Sequence, residues 1–407
     1  MSNALSTAER RQVLAHCPEI DSLRALAMIG VVAMHSKLLP FGWAGVWLFF
    51  VISGYVVTLS IARAHDPNFP VRGAASFARH RIGRILPPYY AYLLAGLAFS
   101  FIASVPQPRE AILSLFGFYH NIEMATGSGE LKFWPVGHLW TISAEMQFYL
   151  FYGLVAYFAP LWVTRRVLWA YVILAPIGRL LVGTLLAGGD PEAVAYIIYS
   201  APGLHFDSFA IGCLFALARL TTPMDRMLWP IVRIGGLAIV LYVVTFVAIN
   251  ILVRDRAGLE VIRDVVSGIL YGQGREVFLY TALALVSLAL LALTVARHPF
   301  VQPITGLKTL QWIGRISYGC YIYHSLCIRM AGFVVRGGKW HGTVDFSLAE
   351  RVLVFVIALG LTVVIAQLSY QFLEKPAMAF MKRWRSTNSE SPSFRASREA
   401  KLAGSDS

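Results

Sequence analysis

Long apolar segments alternate with short polar ones along most of this 407-residue chain. Each apolar segment runs for about 20 residues, the length that an α-helix needs to cross the hydrocarbon core of a bilayer. Glycine and proline occur inside these segments, as membrane helices tolerate. A membrane β-barrel would instead alternate apolar and polar residues within segments of about ten residues. The pattern therefore predicts an all-α fold, a polytopic membrane helical bundle.

About ten of the apolar segments are long enough to be membrane-spanning helices. The apolar segment 109–122 is too short to cross, so we interpret it as an interfacial or re-entrant helix. Pro87 and Pro88 are expected to mark the start of the third span, because proline suits the first turn of a helix. Residues 374–376 are expected to end the tenth span. The predicted spans are 22–39, 42–62, 86–105, 137–160, 166–187, 194–218, 228–252, 276–296, 313–335 and 348–373.

The lysines and arginines between these spans predict the orientation of the chain. Cytoplasmic connections of membrane proteins carry an excess of these residues. They concentrate here in the connections that a cytoplasmic N-terminus would place inside, above all in 63–84. We therefore expect both termini in the cytoplasm. We expect a cytoplasmic N-terminal segment at 1–20, a membrane domain at 21–380 and a polar, Ser-rich disordered cytoplasmic tail at 381–407.

Composition narrows the class of protein further. Hydrophobic residues make up 57% of the chain and charged residues only 14%, against about 25% charged in an ordinary soluble domain. This excludes a soluble enzyme, a disordered protein and a disulfide-stapled secreted scaffold. The net charge of +13 is explained by the positive residues of the cytoplasmic connections, so we expect no nucleic-acid partner. The four cysteines lack zinc spacing and are expected to be free thiols, and we find no ligand cluster for a metal. We expect neither a secretory signal nor an appended soluble domain.

The first span carries two residues that are costly to place in a membrane, Arg24 and His35. They are eleven positions apart, so they lie on one helix face, about 16 Å apart along the axis. Intramembrane ionisable residues are functional candidates. Arg24 could bind the phosphates of a donor while His35 acts as a general base. Alternatively, Arg24 is an interfacial anchor and His35 a packing residue.

Polar residues also open the fourth span. His138, Glu145 and Tyr149 are expected on roughly one helix face. Glu145 is interpreted either as part of a structural ion pair or as the partner of a catalytic base. Arg81 and Arg84 precede the third span. The excess of positive charge on the cytoplasmic side, together with binding to anionic lipid head groups, would be enough to explain them.

Single polar residues in later spans give weaker signals. Asp207 in the sixth span could form a buried ion pair with Arg179 of the fifth. Tyr318 and His324 lie in the ninth span. Each of these residues alone is more often structural than catalytic.

Six motifs in order resemble those of the acyltransferase 3 family, the integral-membrane acyltransferases that O-acylate cell-envelope and other sugars. The resemblance covers about residues 19–380. The matching positions are Arg24 with His35, the Phe-Phe-Val-Ile-Ser-Gly run at 49–54, Arg81 with Arg84 and Pro87, the Leu-Trp to Phe-Tyr run at 139–149, the Ser-Tyr to His run at 317–324, and Glu374 with Pro376.

The resemblance implies ten membrane helices, a cytoplasmic acyl-CoA donor and an acceptor hydroxyl. Family members with a fused C-terminal esterase-like domain use it on the outer face, and the short polar tail here is not expected to form one. We expect acetyl-CoA, or a related short acyl-CoA, as co-substrate. Arg24, Arg81 and Arg84 would bind its phosphates. His35 would act as general base or acyl carrier, with Glu145 orienting its imidazole.

We expect the remaining candidate residues to contact substrate; they are His138, Trp140, Tyr149, Asp207, Tyr318 and His324. The expected partners are acyl-CoA, a sugar or glycan acceptor and membrane lipid, in the inner (cytoplasmic) membrane of a bacterium. A transporter or flippase for an envelope lipid or sugar is the alternative, because it would use the same buried charges as a pathway. The acceptor, the acyl length and the oligomeric state stay open at this point.

Overall fold

The computed structural model describes residues 5–64, 69–126, 131–266, 274–338 and 346–389, with side chains to residue 383. All regular elements of these residues are helices, which confirms the all-α prediction. Short 3-10 turns at Gly42–Ala44 and Gly137–Leu139 precede two of them. The α-helices, in chain order, are α1 Thr7–Leu14, α2 Pro18–His35, α3 Gly45–Ala64, α4 Pro70–Ile102, α5 Arg109–Phe116, α6 His120–Thr126, α7 Trp140–Phe158, α8 Leu161–Leu185, α9 Pro191–Ser200, α10 Phe206–Arg219, α11 Met224–Leu252, α12 Leu259–Val266, α13 Arg275–Val295, α14 Gln302–Thr305, α15 Lys308–Arg315, α16 Ser317–Val335, α17 Leu348–Ser369 and α18 Lys375–Ser389.

Six helical segments of the described residues are long and apolar enough to cross a membrane, and each overlaps a predicted span. The other four predicted spans contain α2, α7, α9 with α10, and α16, which are shorter or more polar. The count of ten therefore stays a prediction. The six segments are Gly42–Ala64, Pro70–Ile102, Leu161–Leu185, Met224–Leu252, Arg275–Val295 and Leu348–Arg383.

The interior is built around α2, α3, α10 and α13. Helix α3 packs along α10, and two glycines bring their backbones into contact. A Cβ atom added at Gly54 would lie 2.0 Å from the Phe209 carbonyl oxygen, and one added at Gly212 would lie 2.0 Å from that of Val51. Small residues allow such close packing of membrane helices. The long apolar helices α8, α11 and α17 bury a much smaller share of their residues.

The predicted sixth span, 194–218, is wrong as a single helix. Helix α9 ends at Ser200 and α10 begins only at Phe206. Pro202 lies between them, and Gly203 has a φ of +78°. Proline lacks the backbone N–H that a continuing helix needs, and glycine accepts the left-handed conformation.

Two predicted helix boundaries are also wrong. Pro87 and Pro88 lie inside α4, which begins at Pro70 and runs for 33 residues. Membrane helices accept internal proline because neighbouring groups satisfy the freed carbonyls. Residues 374–376 do not end the last helix either. A π-helical turn at Tyr370–Glu374 leads directly into α18, with Pro376 in the first turn, where proline is tolerated.

Of the remaining predictions, some are confirmed and others are wrong in detail. Residues 109–122 form two short helices, α5 and α6, rather than one. All four cysteines are free, as predicted. Helix α18 reaches Ser389, within the stretch predicted to be a disordered tail, and 390–407 lie outside the described residues.

Candidate functional site

Helix α2 holds Arg24 near one end and His35 as its last residue. Pro18 begins the helix, and Glu19 and Asp21 lie in its first turn, where carboxylates interact favourably with the helix dipole. Arg24 is mostly buried, with 19% of its side chain exposed. His35 is exposed. The predicted separation of the two residues along one helix is therefore present.

Arg24 faces a narrow cavity of about 80 Å³, which we call the inner cavity. Helices α2, α3, α4, α7 and α16 form its walls. The Oγ of Ser317 and the Nε of Arg81 are buried here without a hydrogen-bond partner among the described residues. Buried polar groups normally have partners, so these atoms are available to a ligand. The polar residues that line the inner cavity are Arg24, Ser53, Arg81, Arg84, Thr141, Glu145, Tyr149, Ser317, Tyr318 and Tyr321.

A wider cavity of about 850 Å³, the basic vestibule, adjoins the inner cavity and shares Arg24 and Arg84 with it. Helix α1 forms part of its wall, held by a hydrogen bond from Arg63 to the Leu14 carbonyl. The described charged residues that line the vestibule are the arginines Arg24, Arg63, Arg84, Arg219, Arg226 and Arg297 and the acids Glu9, Asp21 and Asp225. Its lining is therefore basic on balance.

Some vestibule charges are already paired. Arg297 lies 2.8 Å from Glu19. Asp21 lies 3.2 Å from the His16 imidazole and 4.0 Å from the Arg24 guanidinium. Because the Arg24 contact is long, that guanidinium retains capacity for a second anion.

Cys17 lies at the vestibule and donates a hydrogen bond to Glu19 over 3.3 Å. Burial, together with that carboxylate, raises the pKa of the Cys17 thiol to about 12. The thiol thus stays protonated at neutral pH and is a poor nucleophile.

Glu145 lies in the inner cavity at the level of Arg24 and not beside His35. Its Oε1 accepts hydrogen bonds from Ser53 and Tyr149. The Arg81 guanidinium stacks over the Tyr149 ring, 5.0 Å from its centroid. The expected contact between Glu145 and the His35 imidazole is not found, because Glu145 belongs to the half of the bundle that surrounds the start of α2.

His35 instead belongs to a histidine cluster with His138 and His324. The His35 and His324 ring centroids are 5.2 Å apart, and those of His138 and His324 are 4.7 Å apart. The predicted helical phase of His138 with Glu145 and Tyr149 is wrong, because His138 lies in the 3-10 turn before α7. That turn directs its ring toward α16.

Backbone carbonyls orient two of these rings. His138 Nε2 lies 3.0 Å from the Ile322 oxygen, and His324 Nδ1 lies 2.6 Å from the Tyr321 oxygen. Since a carbonyl only accepts, each of these nitrogens carries the proton. The Ser325 hydroxyl then donates to His324 Nε2 over 3.2 Å.

Two expected substrate contacts lie away from both cavities. Trp140 is buried among Phe50, Tyr199 and His205. Asp207 forms the buried ion pair with Arg179 that the sequence offered as an alternative, with Nη2 to Oδ2 at 2.9 Å and neither side chain exposed.

Arg179 has further partners around this pair. The Thr281 hydroxyl lies 2.7 Å from the Arg179 guanidinium and 3.1 Å from the Asp207 carboxylate. The carboxylate also accepts from the Ser208 backbone N–H at 2.9 Å. This dense pairing indicates a structural role for Asp207. Tyr318, in contrast, does line the inner cavity, and its hydroxyl donates to the Ile85 carbonyl over 3.0 Å.

No part in the functional site was predicted for Ser53, Tyr321 or Glu374. All three lie within the six motifs, which was the signal available for them. Glu374 is the last residue of the π-helical turn, is 1% exposed and has no hydrogen-bond partner for Oε1 among the described residues. The positive charges of Arg84 and Arg24 attract its carboxylate electrostatically. The described residues contain no group of three or more His, Cys, Asp or Glu arranged to hold a metal ion.

Comparison with known proteins gives several distant relatives. "Peptidoglycan O-acetyltransferase OatA" of Listeria monocytogenes is 25% identical over 391 residues. "Putative peptidoglycan O-acetyltransferase YrhL" of Bacillus subtilis is 28% identical over 397 residues. A Staphylococcus aureus protein named as a "Putative O-acetyltransferase" is 24% identical over 382 residues.

These matches cover 89% of this chain but only 55%, 56% and 57% of the Bacillus, Listeria and Staphylococcus relatives. The chain thus spans just over half of their length. No solved structure matches it. The model of one family, described as an acyltransferase domain, matches residues 18–371. The chain is therefore a multi-pass membrane protein that belongs to this acyltransferase family, the one that its motifs resemble.

Proposed function

We propose that the protein transfers an acetyl or other short acyl group from cytoplasmic acyl-CoA to a hydroxyl group of a cell-envelope sugar. The observation that carries this proposal is the arrangement along α2. An arginine-lined vestibule and the inner cavity meet at Arg24, and the histidine cluster surrounds the other end. The names of the Listeria and Bacillus relatives support peptidoglycan as the acceptor class.

The donor half of the proposal rests on charge and shape. Acyl-CoA carries several phosphate groups, and the planar guanidinium of arginine binds phosphate with paired hydrogen bonds. Arg24 and Arg84 border both cavities, so the phosphates would bind in the vestibule. The pantetheine arm would enter the inner cavity, where Ser317 Oγ and Arg81 Nε have free hydrogen-bonding capacity. Eleven helical residues span about 16 Å, a length suited to an extended arm that ends near His35.

The chemical half rests on His35. In direct transfer the acceptor oxygen attacks the thioester carbonyl carbon while the His35 imidazole takes the hydroxyl proton. The C–O bond forms, the C–S bond breaks, and the CoA thiolate takes the proton from the imidazolium. In the covalent alternative, an imidazole nitrogen attacks the thioester carbon, the C–S bond breaks, and CoA leaves as the thiol with the imidazole proton. The acceptor hydroxyl then attacks the acyl-imidazole, the C–N bond breaks, and the hydroxyl proton returns to the imidazole. His324 replaces Glu145 as the neighbour that orients the His35 ring, since the two rings are in contact.

The topology belongs to the same proposal. Ten crossings with both termini in the cytoplasm would place Arg24 and the vestibule arginines on the cytoplasmic side of the bacterial inner membrane. Positive residues favour that side. His35 would then lie toward the outer side, where an envelope sugar could reach its exposed ring.

The test uses inside-out membrane vesicles supplied with radiolabelled acetyl-CoA. Wild type should label a glycan or lipid fraction and release CoA, whereas His35→Ala should do neither at matched expression. His298→Ala is the control, because His298 contacts Trp229 and lines neither cavity. A transporter would move its substrate without releasing CoA, and equal labelling by wild type and His35→Ala would refute the role of His35. Label on the protein in the absence of acceptor would select the covalent route.

A further inference from the structure

The basic vestibule extends away from the inner cavity along α3. Val56 of this helix lines both cavities, whereas Tyr55, Leu59 and Arg63 line the vestibule alone. Arg63 comes seven residues after Val56, which corresponds to about 10 Å along the helix axis. Arg63 therefore marks an outer end of the vestibule, at a distance from the boundary that the two cavities share.

A second arginine, Arg219, lies at this outer end. It belongs to the last turn of α10, the helix that packs along α3. Arg63 and Arg219 both line the vestibule, and both interact electrostatically with the Tyr55 hydroxyl. The Tyr55 ring stacks on Phe215 of α10, with centroids 5.3 Å apart. Two guanidinium groups thus approach one part of the vestibule wall, apart from the arginines that border both cavities.

Arg219 has unused hydrogen-bonding capacity. Its Nε is buried and has no hydrogen-bond partner among the described residues. Arg63 donates to the backbone carbonyls of Leu14 and Ala15. Within the described part of the chain, neither arginine forms an ion pair with an acid, whereas Arg297 of the same vestibule is paired with Glu19. Because buried polar groups normally have partners, Arg219 is suited to bind an anion that enters the vestibule.

An acyl-CoA molecule carries its phosphates at two places. The diphosphate is attached directly to the pantetheine arm, and a separate phosphate is attached to the 3′ position of the ribose, farther from the acyl group. The arginines follow the same order. Arg24 and Arg84 lie where the arm would enter the inner cavity, and Arg63 and Arg219 lie at the outer end of the vestibule. The positions of the positive charges thus match the order of the phosphates along the donor.

We propose that Arg219 and Arg63 bind the 3′-phosphate of the CoA donor, while Arg24 and Arg84 bind its diphosphate. This inference rests on the proposed function. It makes Arg219 and Arg63 specificity-determining residues, which select CoA over carriers that have the pantetheine arm and the diphosphate but lack the 3′-phosphate. Neither residue lies within the six motifs, so neither was among the predicted phosphate-binding residues.

The experiment compares two donors with the full-length protein in inside-out vesicles. They are acetyl-CoA and acetyl-dephospho-CoA, which lacks only the 3′-phosphate. For wild type, the KM for acetyl-dephospho-CoA should be about 10- to 100-fold higher than that for acetyl-CoA, the effect expected from losing charge-assisted hydrogen bonds. The ratio of the two KM values isolates the contribution of this phosphate, because a general packing defect would change both values in the same direction.

Arg219→Gln should raise the KM for acetyl-CoA by about 10- to 100-fold and leave that for acetyl-dephospho-CoA within twofold, so that the ratio falls toward one. Arg219→Lys should keep part of the wild-type ratio, since lysine retains the charge. Arg24→Gln should raise both KM values together, because both donors carry the diphosphate. Arg165→Gln is the matched control, as Arg165 lines neither cavity.

Arg63→Gln provides a second variant, so that the inference stays testable if Arg219→Gln fails to accumulate. An arginine in the last turn of a helix can also stabilise the helix dipole, but a role of that kind would leave the ratio of the two KM values unchanged.

The outcomes separate the two proposals. If wild type transfers no acetyl group from acetyl-CoA, the proposed function fails. If wild type transfers acetyl with the same KM from both donors, only the 3′-phosphate site is refuted. That site is also refuted if every active variant of Arg219 and Arg63 keeps the wild-type ratio within twofold.

Discussion

The two ends of α2 have opposite surroundings. At the Arg24 end the helix borders an arginine-rich vestibule of about 850 Å³, with carboxylates interspersed. At the His35 end it meets aromatic and imidazole rings, held by hydrogen bonds to backbone carbonyls. The first environment suits binding of a large anion, and the second suits orientation of a neutral base. A single helix of fixed rise can thus keep donor affinity and chemistry at separate places.

The largest effect is expected at the histidine end. His35→Gln should lower kcat by about 10²–10⁴-fold, the usual contribution of a general base, while the KM for acetyl-CoA stays within twofold. Steady-state rates across a range of acetyl-CoA concentrations measure both parameters. The control is His298→Gln. A rise in KM of more than tenfold would mean that His35 also binds the donor, and the two ends would no longer be distinct.

The second-largest effect is expected at the buried Arg179–Asp207 ion pair, which lies outside both ends of α2. Asp207→Asn should lower the free energy of unfolding by about 3–5 kcal/mol, because it leaves the buried Arg179 charge without its partner. Denaturant titration in detergent measures this loss. The double variant Arg179→Met with Asp207→Leu should regain most of it. Protein that remains folded should keep the wild-type KM and kcat. Altered kinetic constants with an unchanged free energy of unfolding would instead indicate that Asp207 contacts the substrate.

Substitutions at the Arg24 end of α2 should change the binding of the donor rather than the rate of the chemical step. Arg24→Gln should raise the KM for acetyl-CoA by about 10- to 100-fold with little change in kcat, because one charge-assisted hydrogen bond contributes about 1.5–3 kcal/mol. Arg24→Lys should retain part of the affinity, since lysine keeps the charge but not the paired donors. Arg165→Gln is the control, as this arginine lines neither cavity. An unchanged KM would contradict the assignment.

The smallest effect is expected for Glu145→Gln. The amide keeps an acceptor for Ser53 and Tyr149, so kcat should fall by less than about tenfold, in line with the loss of one hydrogen bond. Tyr149→Phe, which removes the same interaction from the other side, should behave similarly. A fall as large as that of His35→Gln would instead show that Glu145 acts on the imidazole.

Local periodicity was sufficient for some of these features. The spacing of Arg24 and His35 within one uninterrupted helix fixes their separation, and the apolar runs correspond to the long helices. The Arg179–Asp207 pair could be proposed because a buried charge needs a partner. Such inferences depend only on helix geometry or on the energy of a single group.

Other features depend on contacts that periodicity does not encode. Glu145 bonds to Ser53, 92 positions earlier in the chain. His138 does not share a helix face with Glu145 and Tyr149, because it lies in a 3-10 turn that precedes α7. The histidine cluster combines residues from α2, that turn and α16, so only the tertiary packing brings its members together.

The glycine contact between α3 and α10 has a mechanical consequence for the inner cavity, the proposed donor site. Gly54 touches the Phe209 backbone, and the preceding residue is Ser53, which bonds to Glu145. Any side chain larger than hydrogen at Gly54 would force α3 away from α10 and carry Ser53 with it. This close contact between two helix backbones therefore constrains the shape of the inner cavity, and Gly54→Ala would change substrate affinity through a packing defect without altering any residue that lines the cavity.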